Sequence, residues 1–252
     1  MTILCYHAVQ PNWTAPMCMD PPTFAAHGSW LAKRNVVPLQ ESVKLLDRRG
    51  RLPRGMLALT FDDGFSSLYD HALPVLSQHR LPATVFLVAR TLTESGQGVD
   101  WVDRPPSAKL TTLDIDQIRE MQSAGIRFES HSYAHADLTR MDFGECVRDL
   151  RESRELLASL LGEHVRFLAY PRGRHNEAVR KAAEQAGYTH AFALPEHREP
   201  DGRYSVPRVG IYHGNSVAHL RFKSARAYLG LRTGPGYHLQ QRLHRVRGGA
   251  RS

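Results

Sequence analysis

Two adjacent carboxylates, Asp62 and Asp63, stand at the end of a short apolar run that begins Met56-Leu57-Ala58-Leu59. At the end of a buried strand both would lose hydration, and each would raise the other's pKa. A divalent cation held by one of them relieves that repulsion and leaves the other free as a base. The competing reading is a helix N-terminus, with Asp62 or Asp63 capping the segment that starts near Phe65. A second pair, His131 and His135, follows the run Ile126–Ser130. Histidines four apart face one way where the backbone turns helically, an arrangement suited to a divalent metal of borderline softness. The chain holds 14 histidines, so a chance pair competes with that reading. A third polar turn, Tyr170-Pro171-Arg172-Gly173, follows the apolar stretch Phe167-Leu168-Ala169.

Each of these segments needs a strand behind it. Thr2–Val9, the run before Asp62, Ala83–Ala89, Ile126–Ser130, Phe167–Tyr170, Thr189–Leu194 and Tyr204–Val209 are short, apolar and bounded by turn residues, as buried strands are. Helical patterns alternate with them. One opens after Pro21-Pro22, Leu39–Arg49 stops at Gly50, and Phe65–His79 must accommodate Pro74. Thr112–Ala124, the long stripe from Phe143 to Leu161, Asn176–Ala186 with its Asn176 cap, and Ser216–Leu229 follow. Thr91–Lys109 is rich in Gly, Pro and Ser and is expected to be a long loop covering a site. This order predicts an α/β fold with a largely parallel sheet, and the strand count favours one barrel-like domain. In such sheets ligands gather at the carboxyl ends of strands, where all three polar turns stand.

Composition narrows the classes. With 252 residues, 42% of them hydrophobic and 23% charged, the chain suits a globular domain with a sizeable core. No apolar run reaches spanning length, and the N-terminus lacks the basic and apolar regions of a signal peptide. Three cysteines, Cys5, Cys18 and Cys146, form no CxxC pair, which fits a reducing compartment. The net charge of +8 resides in residues 221–252, which carry Arg221, Lys223, Arg226, Arg232, Arg242, Arg245, Arg247 and Arg251 and no acidic residue. A tail of that kind suits anionic membrane surfaces or a solvated end, and no nucleic-acid readout motif accompanies it. The expected division is a catalytic domain over 1–215 and a helix with basic tail over 216–252.

Thr60-Phe61-Asp62-Asp63-Gly64, then His131-Ser132-x-x-His135, then a Pro-x-Gly turn resemble the ordered motifs of the polysaccharide deacetylases, the NodB-homology, family-four carbohydrate esterases. The opening Leu4-Cys5-Tyr6-His7-Ala8-Val9 resembles the first strand of the branch that acts on exopolysaccharides. The resemblance covers roughly Ile3 to Val209. It implies a distorted (β/α) barrel with fewer than eight strands, and hydrolysis of an N-acetyl group from an amino sugar.

By the same resemblance Asp62 matches the catalytic base, and Asp63, His131 and His135 match the ligands of one divalent metal ion, expected to be zinc. Tyr170, Pro171, Arg172 and Gly173 match the turn that lines the substrate and offers an oxyanion N–H, here that of Arg172. The family's arginine beside the catalytic aspartate is missing from this turn, and Arg208 is the candidate to supply it from elsewhere. Ile211-Tyr212-His213 matches the position of the proton-donating histidine, with His7 as runner-up. The implied substrate is an N-acetylated glycan, lipid-linked sugar or polysaccharide precursor. With no signal peptide visible, the expected location is cytoplasmic, peripheral at the inner membrane face through the basic tail. The alternative is a non-catalytic carbohydrate-binding protein on the same fold.

Overall fold

The computed structural model describes residues 2–50, 54–93, 98–195, 202–225 and 227–234. Six strands, Thr2–Tyr6, Met56–Phe61, Ala83–Leu87, Arg127–Ser130, Phe167–Ala169 and His190–Ala193, lie side by side in that order and pair in parallel. Val206–Pro207 then pairs with His190–Ala193, and Val209–Gly210 pairs with Thr2–Tyr6. These last two are halves of one extended segment interrupted at Arg208, so the two edges of the sheet meet. The result is a nearly closed parallel barrel of eight strand segments forming seven staves. A short strand, Asn35–Val36, adds beside the start of Met56–Phe61.

Side chains alternate across this sheet with period two. Ile3, Ala58, Phe86, Phe167, Ala169, Phe192 and Val206 point into the lumen, which Leu39 and Val43 of the helix Leu39–Arg49 close from one end. The opposite parity, including Leu4, Leu57, Leu59, Val85 and Leu168, packs outward against helix residues such as Leu31, Leu76, Ile118, Leu150 and Leu157. The lumen parity continues from Ala58 through Thr60 to Asp62, from Glu129 to His131 and from Val206 to Arg208. The residues with chemistry therefore lie on the lumen face, at the carboxyl ends of their strands.

The helices follow local rules. Phe143–Leu161 opens with a capping box of Asp142 and Glu145 and ends at Gly162 with φ 66°. Cys146 is buried on its inner face, whereas Phe143, expected in the apolar stripe, is 44% exposed. Pro74 is tolerated because a π-turn over Leu68–Ala72 precedes the helix Leu73–Gln78, and a proline in the first turn breaks no helical bond. The single terminal helix expected over Ser216–Leu229 is instead two, Val217–Ser224 and Ala227–Thr233, separated by extended backbone at Ala225. No described helix is long and apolar enough to cross a membrane. Residues 235–252, with most of the expected basic tail, lie outside the described residues.

Candidate active site

The turn after Met56–Phe61 sets the site. Asp62 N–H still donates to Tyr6 O at 3.0 Å, extending the ladder by one residue. The chain then reverses through Asp63 and Gly64 with φ of 69° and 64°. A Cβ on Gly64 would stand 2.6 Å from Leu87 Cδ2, so the turn needs glycine both for its backbone and for its room. The helical segment beyond is capped at Ser67, so neither carboxylate serves as an N-cap and the capping reading falls.

Asp62 is instead clamped. Arg208 Nη1 donates to Oδ1 at 2.6 Å and Nη2 to Oδ2 at 2.7 Å, a two-pronged pair whose members are both fully buried. Arg208 also reaches Thr60 Oγ1 at 3.2 Å and lies 5.3 Å over the Phe86 ring. Burial alone would raise the Asp62 carboxyl, but the adjacent guanidinium outweighs it and holds the group well below the usual carboxylate range. The missing arginine of the third turn is thus replaced from the stave that closes the barrel. Removing either partner would leave the other charged and alone in a dry site, which costs about 3–5 kcal/mol.

Asp63 faces the two histidines. His135 Nε2 is 3.3 Å from Asp63 Oδ1 and His131 Nε2 is 3.7 Å from the same oxygen. His131 Nδ1 lies 2.8 Å from Ala169 O, a carbonyl that can only accept, so the proton is on Nδ1 and the lone pair on Nε2 points at the carboxylates. Burial, then the Asp62 charge, push Asp63 up to about 8, while burial holds both histidines below their ordinary value. Tetrahedral zinc with its usual ligand bonds puts ligand atoms about 3.4 Å apart, a spacing that the two separations bracket. Two neutral imidazole nitrogens and one carboxylate oxygen fit a divalent ion, and a cation would relieve the repulsion between the aspartates.

Positive φ concentrates here: Asp63, Ser132, His135 and Arg172 hold values of 56–69°. Such backbone costs energy in non-glycine residues and persists where surrounding bonds enforce it. Ser132 Oγ accepts from His135 N–H at 3.0 Å, and Asp149 Oδ1 accepts from Tyr133 N–H at 3.0 Å.

The third turn divides. Pro171–Gly173 forms a single tight turn with Arg172 at φ 58° and its side chain exposed; its cation weakly opposes the burial that raises Asp63 and adds to the burial that lowers His135. Gly173 is obligatory, since a Cβ there would lie 2.4 Å from Leu194 Cβ and 2.7 Å from Leu194 N. Tyr170 corrects the expectation of a substrate-lining residue. It is fully buried, and its hydroxyl donates to Tyr204 O at 2.9 Å. Its position follows the strand parity that sends Leu168 and Tyr170 outward toward the helices.

His213 is exposed, with Nδ1 3.2 Å from Cys18 O, and stands outside the ionisable cluster at Asp62. His7 is inside it. One ring nitrogen of His7, Cys5 Sγ and an Asp62 oxygen lie within 4.8 Å of one another, and His7 Nδ1 has no partner among the described residues. Burial, opposed by Asp62, presses His7 down to about 4. Cys5 donates its thiol to Asp62 Oδ2 at 3.3 Å, and burial keeps that thiol protonated.

Sequence reasoning missed Trp101, whose indole N–H donates to Asp63 Oδ1 at 2.9 Å. The covering loop around it was expected, but a non-periodic segment carries no signal for which side chain turns inward. Cys5 was legible in principle, two residues along the lumen parity from Ile3.

A family model described as polysaccharide deacetylase matches residues 49–191 of the chain. YxkH of Bacillus subtilis, assigned by name to the polysaccharide deacetylases, is 27% identical over 221 residues, 86% of this chain and 73% of that protein. A poly-β-1,6-N-acetyl-D-glucosamine N-deacetylase of Staphylococcus epidermidis is 28% identical over 199 residues, 74% of this chain and 65% of the enzyme. The chain thus spans less than two thirds of that enzyme's length. The fold is that of the Streptococcus pyogenes deacetylase PplD, with a TM-score of 0.74, 24% identity and coverage of 89% of this chain and 98% of that one. IcaB from Ammonifex degensii superposes with a TM-score of 0.72 at 24% identity, covering 88% and 96%.

Proposed function

The chain belongs to the polysaccharide deacetylase family, and from that premise we propose that its site hydrolyses the N-acetyl group of an amino sugar in a polysaccharide. The observation that carries this reading is the pairing of Asp62 with Arg208 beside Asp63, His131 and His135. A base kept ionised by one neighbour stands against three ligand atoms that leave coordination positions open. A bare sugar-binding groove has no use for such a buried, charged base.

Asp63, His131 and His135 would hold one divalent ion, zinc by the fit of the donor set. When bound it polarises the acetyl carbonyl and lowers the pKa of a water there. Asp62 takes a proton from the attacking water as the new C–O bond forms at the acetyl carbon. Arg208 holds the carboxylate's orientation and keeps it ionised until that proton arrives. The Arg172 N–H in the Pro171–Gly173 turn is the candidate donor to the oxyanion. As the C–N bond breaks, the amine nitrogen collects the proton that Asp62 removed, and acetate leaves. His7 passes that proton on, because it neighbours Asp62 with a free ring nitrogen and is neutral at rest. On this reading the proton-transfer role goes to His7 and not to His213.

The identity to the staphylococcal enzyme makes β-1,6-linked N-acetylglucosamine oligomers the first substrates to try. Purified protein loaded with zinc should release acetate from them, seen by mass spectrometry as the loss of one acetyl group per event. Binding of the oligomers with no acetate released by the zinc-loaded protein would favour the carbohydrate-binding alternative.

A further inference from the structure

Metal-binding histidines ordinarily donate their second ring N–H to a fixed acceptor, which sets the ring's orientation. His131 does so through Ala169 O. His135 does not: its Nδ1 is buried and has no hydrogen-bond partner among the described residues. What holds the His135 ring is Trp101, stacked on it with centroids 5.0 Å apart and planes 23° from parallel. The same indole donates its N–H to Asp63 Oδ1, the oxygen that faces both histidines. One side chain therefore touches two of the three candidate ligands.

Trp101 is itself fastened. It is 8% exposed, Arg90 lies 5.6 Å over its ring, and Arg90 pairs with the neighbouring Asp100. Trp13 donates to Arg104 O at 2.8 Å, and Leu113 N–H donates to Gly64 O at 2.8 Å, which ties the loop to the aspartate turn.

We propose that Trp101 is the positioning residue shared by Asp63 and His135, and that its indole N–H sets the metal affinity of the site. This inference rests on the reading of Asp63, His131 and His135 as a metal triad. The geometry allows the indole and a cation together. An imidazole binds metal in its ring plane along the Nε2 lone pair, whereas the indole lies against the ring face. A carboxylate oxygen has two lone pairs, one for a cation and one for the indole N–H. Orientation that a hydrogen bond supplies to His131 is supplied to His135 by stacking.

Cobalt(II) titrated into metal-stripped protein, followed by its visible absorption and by calorimetry, tests this without turnover. Trp101→Phe keeps an aromatic ring, smaller than the indole, against His135 and removes the N–H. It should weaken cobalt binding by roughly 10–100-fold, as loss of an outer partner of a metal ligand does. Trp13→Phe, which removes an indole bond to backbone in the same loop cluster, should leave the affinity unchanged. Wild-type affinity in Trp101→Phe would overturn the proposal. If Trp101→Phe melts well below wild type in the stripped state, a second measurement decides. In a Trp13→Phe, Trp30→Phe double variant, Trp101 is the sole tryptophan and its emission should be quenched by stoichiometric cobalt. Unchanged emission there would overturn the proposal as well. Failure of the triad reading looks different: wild type itself, or wild type and His135→Ala alike, would show no site-specific cobalt spectrum.

Discussion

The two ends of the barrel lumen are built from the same strands and the same alternation, but they carry opposite chemistry. Toward the helix Leu39–Arg49 the lumen is filled mainly by Ile3, Ala58, Phe86, Phe167, Phe192 and Val206, with Phe192 set 5.7 Å from both Phe86 and Phe167, and the buried Glu129 in register with Phe86 accepts from the Arg166 and Phe167 N–H groups at 2.8 Å. Further along the strands, the same parity presents Cys5, Thr60, Asp62, His131 and Arg208, all buried. One rung of side chains separates a plug that stabilises from a mouth that concentrates charge. Apolar packing below excludes water, and low local polarity strengthens every charge interaction above it. The mouth is costly to build, with a buried ion pair and backbone at positive φ, so the plug must offset it.

Breaking the mouth should have the largest effect. Arg208→Met leaves Asp62 buried without its counter-charge, and should cost about 3–5 kcal/mol in stability as well as most turnover. Chemical denaturation and acetate release measure the two losses. Adding Asp62→Asn to Arg208→Met should restore much of the stability and none of the activity. Breaking the plug should cost about the same stability by another route. Phe192→Ala opens a cavity worth about 3–5 kcal/mol, yet the folded fraction should keep its metal stoichiometry and its turnover per folded molecule. An equal loss of specific activity would mean that the two ends are not separable.

Within the mouth, His7 and His213 can be set against each other. His7→Ala should lower kcat by roughly 10²-fold, the low end of general acid–base effects, while His213→Ala changes it little. The reverse ranking would return the proton-transfer role to the exposed histidine. Gly173→Ala tests the third turn, where backbone at φ 68° adds strain to the steric clash. Its new methyl meets Leu194 and should cost about 1–3 kcal/mol, the usual range for overpacking, measured as a fall in denaturation midpoint.

Much of this architecture is legible in the sequence because barrel strands bury both faces and read as short apolar runs. Asp62, Asp63, His131 and His135 were readable as well, since each sits immediately after such a run and the turn chemistry is local. Arg208 was named as the candidate partner of Asp62 only through the gap in the third motif; the two are 146 residues apart and meet through barrel closure, which local sequence does not show. The preference for His213 over His7 was drawn without that closure. Each lies beyond a lumen-lining strand, and only closure of the barrel places His7 beside Asp62. Tyr170 was misread because motif matching ignores parity, and parity turns it outward. Trp101 lies in an irregular loop, where neither period nor propensity aims a side chain. The break at Ala225 left no signal, as the flanking residues all tolerate a helix.

The central claim is that the adjacent aspartates divide the work, Asp63 holding metal and Asp62 moving a proton. Asp62→Asn and Asp63→Asn, loaded with zinc in parallel and checked for folding, should be assayed for bound metal and for acetate release on the same preparations. Asp63→Asn should lose metal and activity together. Asp62→Asn should keep stoichiometric metal and lose turnover by roughly 10²–10⁴-fold. Near-normal turnover in Asp62→Asn, or metal lost from it and kept by Asp63→Asn, would contradict the account.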